Sequence, residues 1–163
     1  MDAKEFLEIT VRPVLEKMEM WSPAAEKLLI MTACHESGGF RYRVQQGGPA
    51  LSYFQIEPAS FDDVWNRYLG IREDRRPLVA QFLPEDMDPL SALENDDRFA
   101  CAIARMKYAA VPASLPPATD EDALAAYCKQ YWNTDAGKAT AKKYLDDFNL
   151  YKPNPLPEEW LQK

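Results

Sequence analysis

Helical punctuation recurs along most of this 163-residue chain, and the pattern changes over one early stretch, Arg41 to Pro58. A chain marked this way has little choice beyond a mainly helical fold, because apolar residues three and four apart can be hidden together only on one face of a helix. Phe6, Leu7, Val11, Val14 and Leu15 follow that spacing and predict a first helix over residues 3–18, despite the interior Pro13. Ser22-Pro23 reads as an N-cap followed by proline in the first helical position, opening a second helix that reaches Cys34 or Glu36. Its buried face is expected at Leu28, Leu29, Met31 and Thr32. Gly38-Gly39 ends it, since glycine accepts the left-handed conformation that a C-cap wants. Glu36 therefore falls at the C-terminal end of an apolar helix.

The exceptional stretch carries Gly47-Gly48-Pro49 and then Leu51-Ser52-Tyr53-Phe54-Gln55-Ile56, which suggests a loop or small hairpin closing on a short extended segment. It is the one β region expected. A third helix is expected from near Ser60 to Leu69-Gly70, with Asp62 and Asp63 in its first turn, where negative charge suits the helix dipole. Further helices are expected over 74–83, 90–110, 120–133 and 136–149. Val111 to Ala118, with three prolines, reads as a rigid connector inside the domain. The proline-rich tail from Lys152 onward is expected to wrap the surface, pinned by Trp160. The fold class expected is a single α+β, predominantly α, domain over 1–163.

Composition excludes several function classes. Hydrophobic residues make up 47% and charged residues 28%, ordinary for a soluble globular protein and unlike a disordered one. The longest apolar run, Leu28 to Cys34, is far short of the roughly 20 residues of a membrane span, so no membrane insertion is expected. No secretory signal pattern opens the chain, which sets the expectation of synthesis in a cytoplasm. Cys34, Cys101 and Cys128 lack CxxC or Cys/His spacing and are expected to be reduced packing residues. With His35 as the sole histidine, neither a zinc site nor any other cofactor is expected. The formal net charge of −7 argues against a nucleic-acid or anionic-membrane partner, both of which need a basic face.

Among the titratable residues Glu36 stands out. A carboxylate ending a mostly apolar helix is partly desolvated, which raises its pKa and lets it hold a proton near neutral pH. Ser37-Gly38-Gly39 beyond it leave room for a bulky substrate to approach. The competing reading is a solvated glutamate in a last helical turn. His35 adjoins Glu36 in sequence but projects about 100° away around the helix, which favours a packing or surface role over a catalytic pair.

What shifts the balance toward chemistry is the company Glu36 keeps. His35-Glu36-Ser37-Gly38, followed by Gly48-Pro49-Ala50-Leu51-Ser52-Tyr53-Phe54-Gln55-Ile56-Glu57-Pro58, resembles the soluble lytic transglycosylases and goose-type lysozymes of the lysozyme-like superfamily. In that family a Glu-Ser pair at a helix end precedes a small-residue turn and a Gly-Leu-Met-Gln-Ile-x-Pro type strand. Ser52 stands where the family usually has glycine. Ala125-Ala126-Tyr127 and Tyr131-Trp132-Asn133 resemble the family's Ala-Tyr-Asn segment, leaving Tyr127 and Tyr131 as alternative counterparts of its tyrosine. Tyr131 to Thr140 also looks like bacteriophage proteins of the superfamily. The resemblance spans roughly residues 25 to 145.

The resemblance implies a peptidoglycan-cleaving glycosidase in which Glu36 protonates the glycosidic oxygen and then acts as base. Ser37, Ser52, Tyr53, Gln55, Tyr127, Tyr131 and Asn133 are the substrate-binding candidates it implies. A lytic transglycosylase needs no second carboxylate. A hydrolase of the usual kind needs one, about 5 to 5.5 Å away for retention or 6.5 to 9.5 Å for inversion; Glu57, Asp62 and Asp63 are the candidates. Strand alternation would put Tyr53 and Gln55 on one face, both looking into the cleft. The implied partner is the bacterial glycan strand, together with phage virion proteins if the chain is a virion-associated lysin and not a holin-released endolysin. The reading from a different class is a structural or glycan-binding virion protein that keeps the fold without turnover.

Overall fold

Six side chains mark helix starts in the same way. Asp2, Ser22, Asp88, Asp96, Asp120 and Thr140 each accept a hydrogen bond from the backbone N–H three residues on, satisfying one of the donors a helix leaves unpaired at its start. In the computed structural model, which describes residues 1–133 and 137–162, the first helix α1 runs over Ala3–Phe6, widens to a π-helical Leu7–Val11 and resumes over Arg12–Lys17. The widened segment ends two residues before Pro13, and a change of pitch is one way a helix accommodates a residue without an N–H. The expected 3–18 helix is present in that modified form.

Helix α2 (Pro23–Glu36) is the centre of the molecule. The expected amphipathic face is replaced by burial on every side, since each residue from Ala25 to Cys34 is buried. The surroundings explain it: α2 packs against α1, against α6 (Asp97–Ala109), against α7 (Glu121–Cys128, continued as a π-helix over Lys129–Asn133), and most extensively against α8 (Ala141–Tyr151). A fully buried Leu or Met in such a helix contributes about 1.5–3 kcal/mol. Two charged residues share this burial, Glu26 and Lys27, and both are paired. Arg12 donates twice to Glu26 at 2.8 and 2.7 Å, and Lys27 Nζ lies 2.8 Å from Glu121 Oε2.

Helix α3 opens at Pro58, two residues before the expected start, and runs to Asp62 before continuing as a π-helix over Asp63–Tyr68. Asp62 and Asp63 consequently lie past its first turn, and the helix-dipole role expected for them is not the one they have. Asp62 accepts from Asn66 at 2.7 Å, and Asp63 sits 3.5 Å from Arg67. The helix expected over 74–83 is α4 (Arg76–Ala80). The one expected over 90–110 is two helices, α5 (Pro89–Asn95) and α6, because Asp96 is extended and ends one while capping the other. The start expected at 136 lies outside the described residues, and Thr140 caps α8.

No strand is present among the described residues. The expected β-hairpin is represented by two isolated antiparallel bridges, Val44 with Leu51 and Leu51 with Ile56. Residues 52–55 form a turn closed by reciprocal bonds between Leu51 and Ile56 at 2.9 and 2.8 Å. Ser52 (φ 69) and Gln55 (φ 51) both take the left-handed region there. The alternation argument for Tyr53 and Gln55 fails for that reason, because a turn does not alternate its side chains as a strand does.

The tail folds back as expected. Trp160, in a short 3₁₀ turn (Glu158–Trp160), is fully buried and donates from Nε1 to Glu26 Oε1 at 2.9 Å. Cys34, Cys101 and Cys128 are buried free thiols. Among the described residues no helix is long and apolar enough to cross a membrane.

Candidate active site

Glu36 is the last residue of α2, and the residues after it turn the chain sharply aside. Ser37 Oγ donates back to Ala33 O at 2.6 Å and accepts from Phe40 N at 2.7 Å, so the serine is a fully buried cap. Gly39 has φ +73, and a Cβ there would run into the Tyr151 ring of α8. Glycine is thus required both by conformation and by the close approach of α8.

Helix α8 supplies the partner of the Glu36 carboxyl. Tyr144 Oη donates to Glu36 Oε1 at 2.9 Å. Burial pushes the Glu36 pKa above its ordinary value of 4.5, and His35, the Tyr144 hydroxyl and Lys107 pull in the opposite direction without cancelling it. Burial also raises the Tyr144 phenol, with the Glu36 charge adding to the effect, so Tyr144 stays a donor. His35 does not touch the Glu36 carboxyl. Its ring packs 4.0 Å from the Tyr144 ring, centre to centre, and its Nδ1 lies 2.7 Å from Asp147 Oδ2, so it ties the end of α2 to the helix that carries Tyr144.

The carboxyl faces a cleft of about 520 Å³. Of the residues expected from the sequence, the structure brings together Glu36, Gln55, Asn133, Glu57 and Asp63 along its walls. Gln55 Nε2 donates to Ser52 O at 2.9 Å, which fixes the amide on the turn, and Asn133 Oδ1 accepts from Lys129 at 3.0 Å. Tyr131 borders an adjoining hollow of about 240 Å³ that shares Ser60, Asp63 and Lys107 with the cleft.

Five expected residues lie elsewhere. Ser37 is the cap just described. Ser52 is 1% exposed, with its hydroxyl accepting from Phe54 N at 3.1 Å, and so does not crowd the cleft. Tyr53 packs edge-on to Phe6 and Phe40 under the Arg43 guanidinium, which stands 4.8 Å from its ring centre. Tyr127 is buried against Tyr108 and Tyr131, with its hydroxyl donating to Ala113 O at 2.9 Å. Asp62 borders a separate hollow beside Phe61 and Trp65.

Sequence reasoning missed Tyr144, Lys107, Ser60 and Trp132. Lys107 left a trace, being with Arg105 one of two cations in the otherwise apolar run from Phe99 to Ala110, whereas nothing in the local pattern of α8 marks Tyr144. Among the described residues no three His, Cys, Asp or Glu side chains gather as a metal site would need. The arrangement supplies a carboxyl that holds its proton to higher pH than usual, a phenol to receive the resulting carboxylate, and amides and further carboxylates along an open groove. A carboxyl so placed can give and take a proton from a group that enters the groove. Neither a protein-family model, nor a curated protein, nor a solved structure matches this chain.

Proposed function

We propose that this chain is a peptidoglycan-cleaving glycosidase of the lytic transglycosylase or muramidase type, with Glu36 as its general acid and base. The observation that carries the reading is the Glu36 carboxyl itself, at a helix end, shifted upward by burial, bonded by one phenol and open to a groove. In the first step Glu36 gives its proton to the oxygen between an N-acetylmuramic acid and the following N-acetylglucosamine. The carboxylate then left is received by the Tyr144 hydroxyl and acts as base, either toward the sugar's own 6-hydroxyl, giving an anhydro product, or toward water. The amides of Gln55 and Asn133 fit a role in holding N-acetyl groups or hydroxyls.

Glu57 and Asp63 on the same groove favour a second reading within the class, hydrolysis assisted by another carboxylate. Asp62, facing away, does not enter it. The setting consistent with the resemblance is a bacteriophage lysin acting at the bacterial wall, as endolysin or as virion component.

Digestion of purified peptidoglycan, with mass analysis of the soluble products, tests the reading. Anhydromuramyl products from wild type and none from Glu36→Gln support transglycosylation. Products heavier by one water support a muramidase. No soluble product from the wild-type protein sinks the enzymatic reading and leaves a glycan-binding or structural role.

A further inference from the structure

We propose that Lys107 anchors an anion subsite in the cleft, taking a carboxylate carried by the bound glycan. The inference rests on the glycosidase reading for the identity of the polymer, and on the following geometry for the subsite. Among the described residues that line the cleft, Lys107 is the one cation, facing the acidic side chains of Glu36, Glu57 and Asp63. Its ammonium stands 4.0 Å from the Trp132 ring centre, a cation–π contact that fixes its place. Its hydrogen bond is to Trp132 O at 3.5 Å, the outer limit for such a bond. Within the described residues no carboxylate comes within ion-pair distance of it, so a group with three donors has one long bond.

The contrast with Lys27 shows what is unusual. Lys27 is 2% exposed and satisfied, bonded to Ala118 O and Glu121 Oε2 at 2.8 Å each. Lys107 is half-buried, desolvated enough for its pKa to be lowered, and held toward the charged form by Glu36 and Glu57 at longer range. Its donors are left for something that enters the groove.

Lys107 also borders both the main cleft and the adjoining hollow beside Tyr131, so a chain that passes from one to the other passes the ammonium. A muramyl sugar carries a lactyl ether whose carboxyl is either free or joined to a peptide that bears carboxylates of its own. Among the described residues lining the groove, whose other charged walls are Glu57 and Asp63, Lys107 is the place that offers such a carboxylate an opposite charge. The lysine thereby selects the register in which the glycan lies against Glu36.

The test uses the Glu36→Gln protein, which keeps the shape of the site without turnover, and measures binding calorimetrically. The probes are tetrasaccharides of alternating N-acetylglucosamine and N-acetylmuramic acid in three forms: free lactyl acids, lactyl carboxamides, and lactyl groups bearing peptides. The acid form is expected to bind about tenfold more tightly than the carboxamide at low salt, with the advantage shrinking as salt rises. Lys107→Met in the same background is expected to abolish that advantage, and Lys107→Arg to keep most of it. A Lys107-dependent advantage for the peptide-bearing form over the carboxamide assigns the carboxylate to the peptide as well. Equal binding of acid and carboxamide, an advantage that survives Lys107→Met, or binding of none of the three overturns the subsite. Digestion by the wild-type protein is scored separately. Lys107-dependent binding without any cleavage removes the glycosidase reading and leaves the subsite, while cleavage without Lys107-dependent binding does the reverse.

Discussion

The two ends of α2 each hold a glutamate away from bulk water, and the protein treats them in opposite ways. Glu26, one turn into the helix, is fully buried and surrounded by donors: two from Arg12, the indole N–H of Trp21 at 2.8 Å and that of Trp160 at 2.9 Å. Those partners come from α1, from the turn before α2 and from the C-terminal tail, so one carboxylate joins three separate parts of the chain. Glu36, at the other end, has a single bond from Tyr144 and faces an open groove. A carboxylate saturated by donors from three parts of the chain serves the fold. A carboxyl that is desolvated but scarcely bonded has its pKa raised, which is what the proposed acid–base role needs.

The largest effect that would sharpen this contrast is on turnover. Glu36→Gln is expected to lower release of soluble peptidoglycan fragments by about 100- to 10,000-fold, the range of general acid–base catalysis, and retention of wild-type rates would break it. Next comes Glu26→Gln, which takes the charge out of a fully buried site with four donors and leaves the Arg12 guanidinium only the longer contact with Glu159 at 3.5 Å. It is expected to cost about 3–5 kcal/mol in urea denaturation, and a cost below about 1 kcal/mol would show the cluster to be dispensable.

A thermal stability measurement on Glu36→Gln should give the opposite sign. The folded pKa of Glu36 is raised above its unfolded value, so its contribution to stability is fully present below about pH 4.5 and is lost as pH rises through the folded pKa. Glu36→Gln is therefore expected to melt at a higher temperature than wild type at neutral pH, with the gain vanishing in acid. A melting point unchanged by pH in that comparison would contradict the desolvation of Glu36.

Tyr144→Phe removes a bond that favours the carboxylate, so the Glu36 pKa is expected to rise further. The alkaline limb of the activity profile should then move to higher pH, as pH–rate curves for the two proteins would show. The smallest effect expected is at Ser52, whose φ of 69 suits glycine while its hydroxyl bonds Phe54 N. Ser52→Gly is expected to be more stable than Ser52→Ala by about 1 kcal/mol in thermal or urea unfolding, because both lose the hydroxyl's bond but only alanine keeps the strain. The reverse order would rule out strain at the turn.

Most of the helices were legible in the sequence because their signals are local. Ser22 with Pro23, Asp120 and Thr140 act on their own next few residues, and apolar spacing does the rest. Local signals also placed Glu36 at the end of an apolar helix. Where the sequence reading went astray, a local pattern admitted two backbones. Leu51 to Ile56 reads as a strand, yet the chain closes a turn with Ser52 and Gln55 left-handed, which sends Tyr53 into the aromatic core with Phe6 and Phe40 and leaves Gln55 at the groove. The break at Asp96 is of the same kind, one extended residue dividing what apolar spacing reads as a single helix.

By itself, then, the sequence determined a mainly helical chain with a carboxyl at the end of its most apolar helix. Tertiary structure decided what that carboxyl meets. Tyr144 lies 108 positions from Glu36, and Lys107 comes from another helix again; both reach the site only because α8 and α6 pack against α2. The physical reason is range: caps and periodicity act over a few residues of one backbone, whereas burial, a phenol's hydrogen bond and the field of a distant ammonium exist only after separate helices have been packed together.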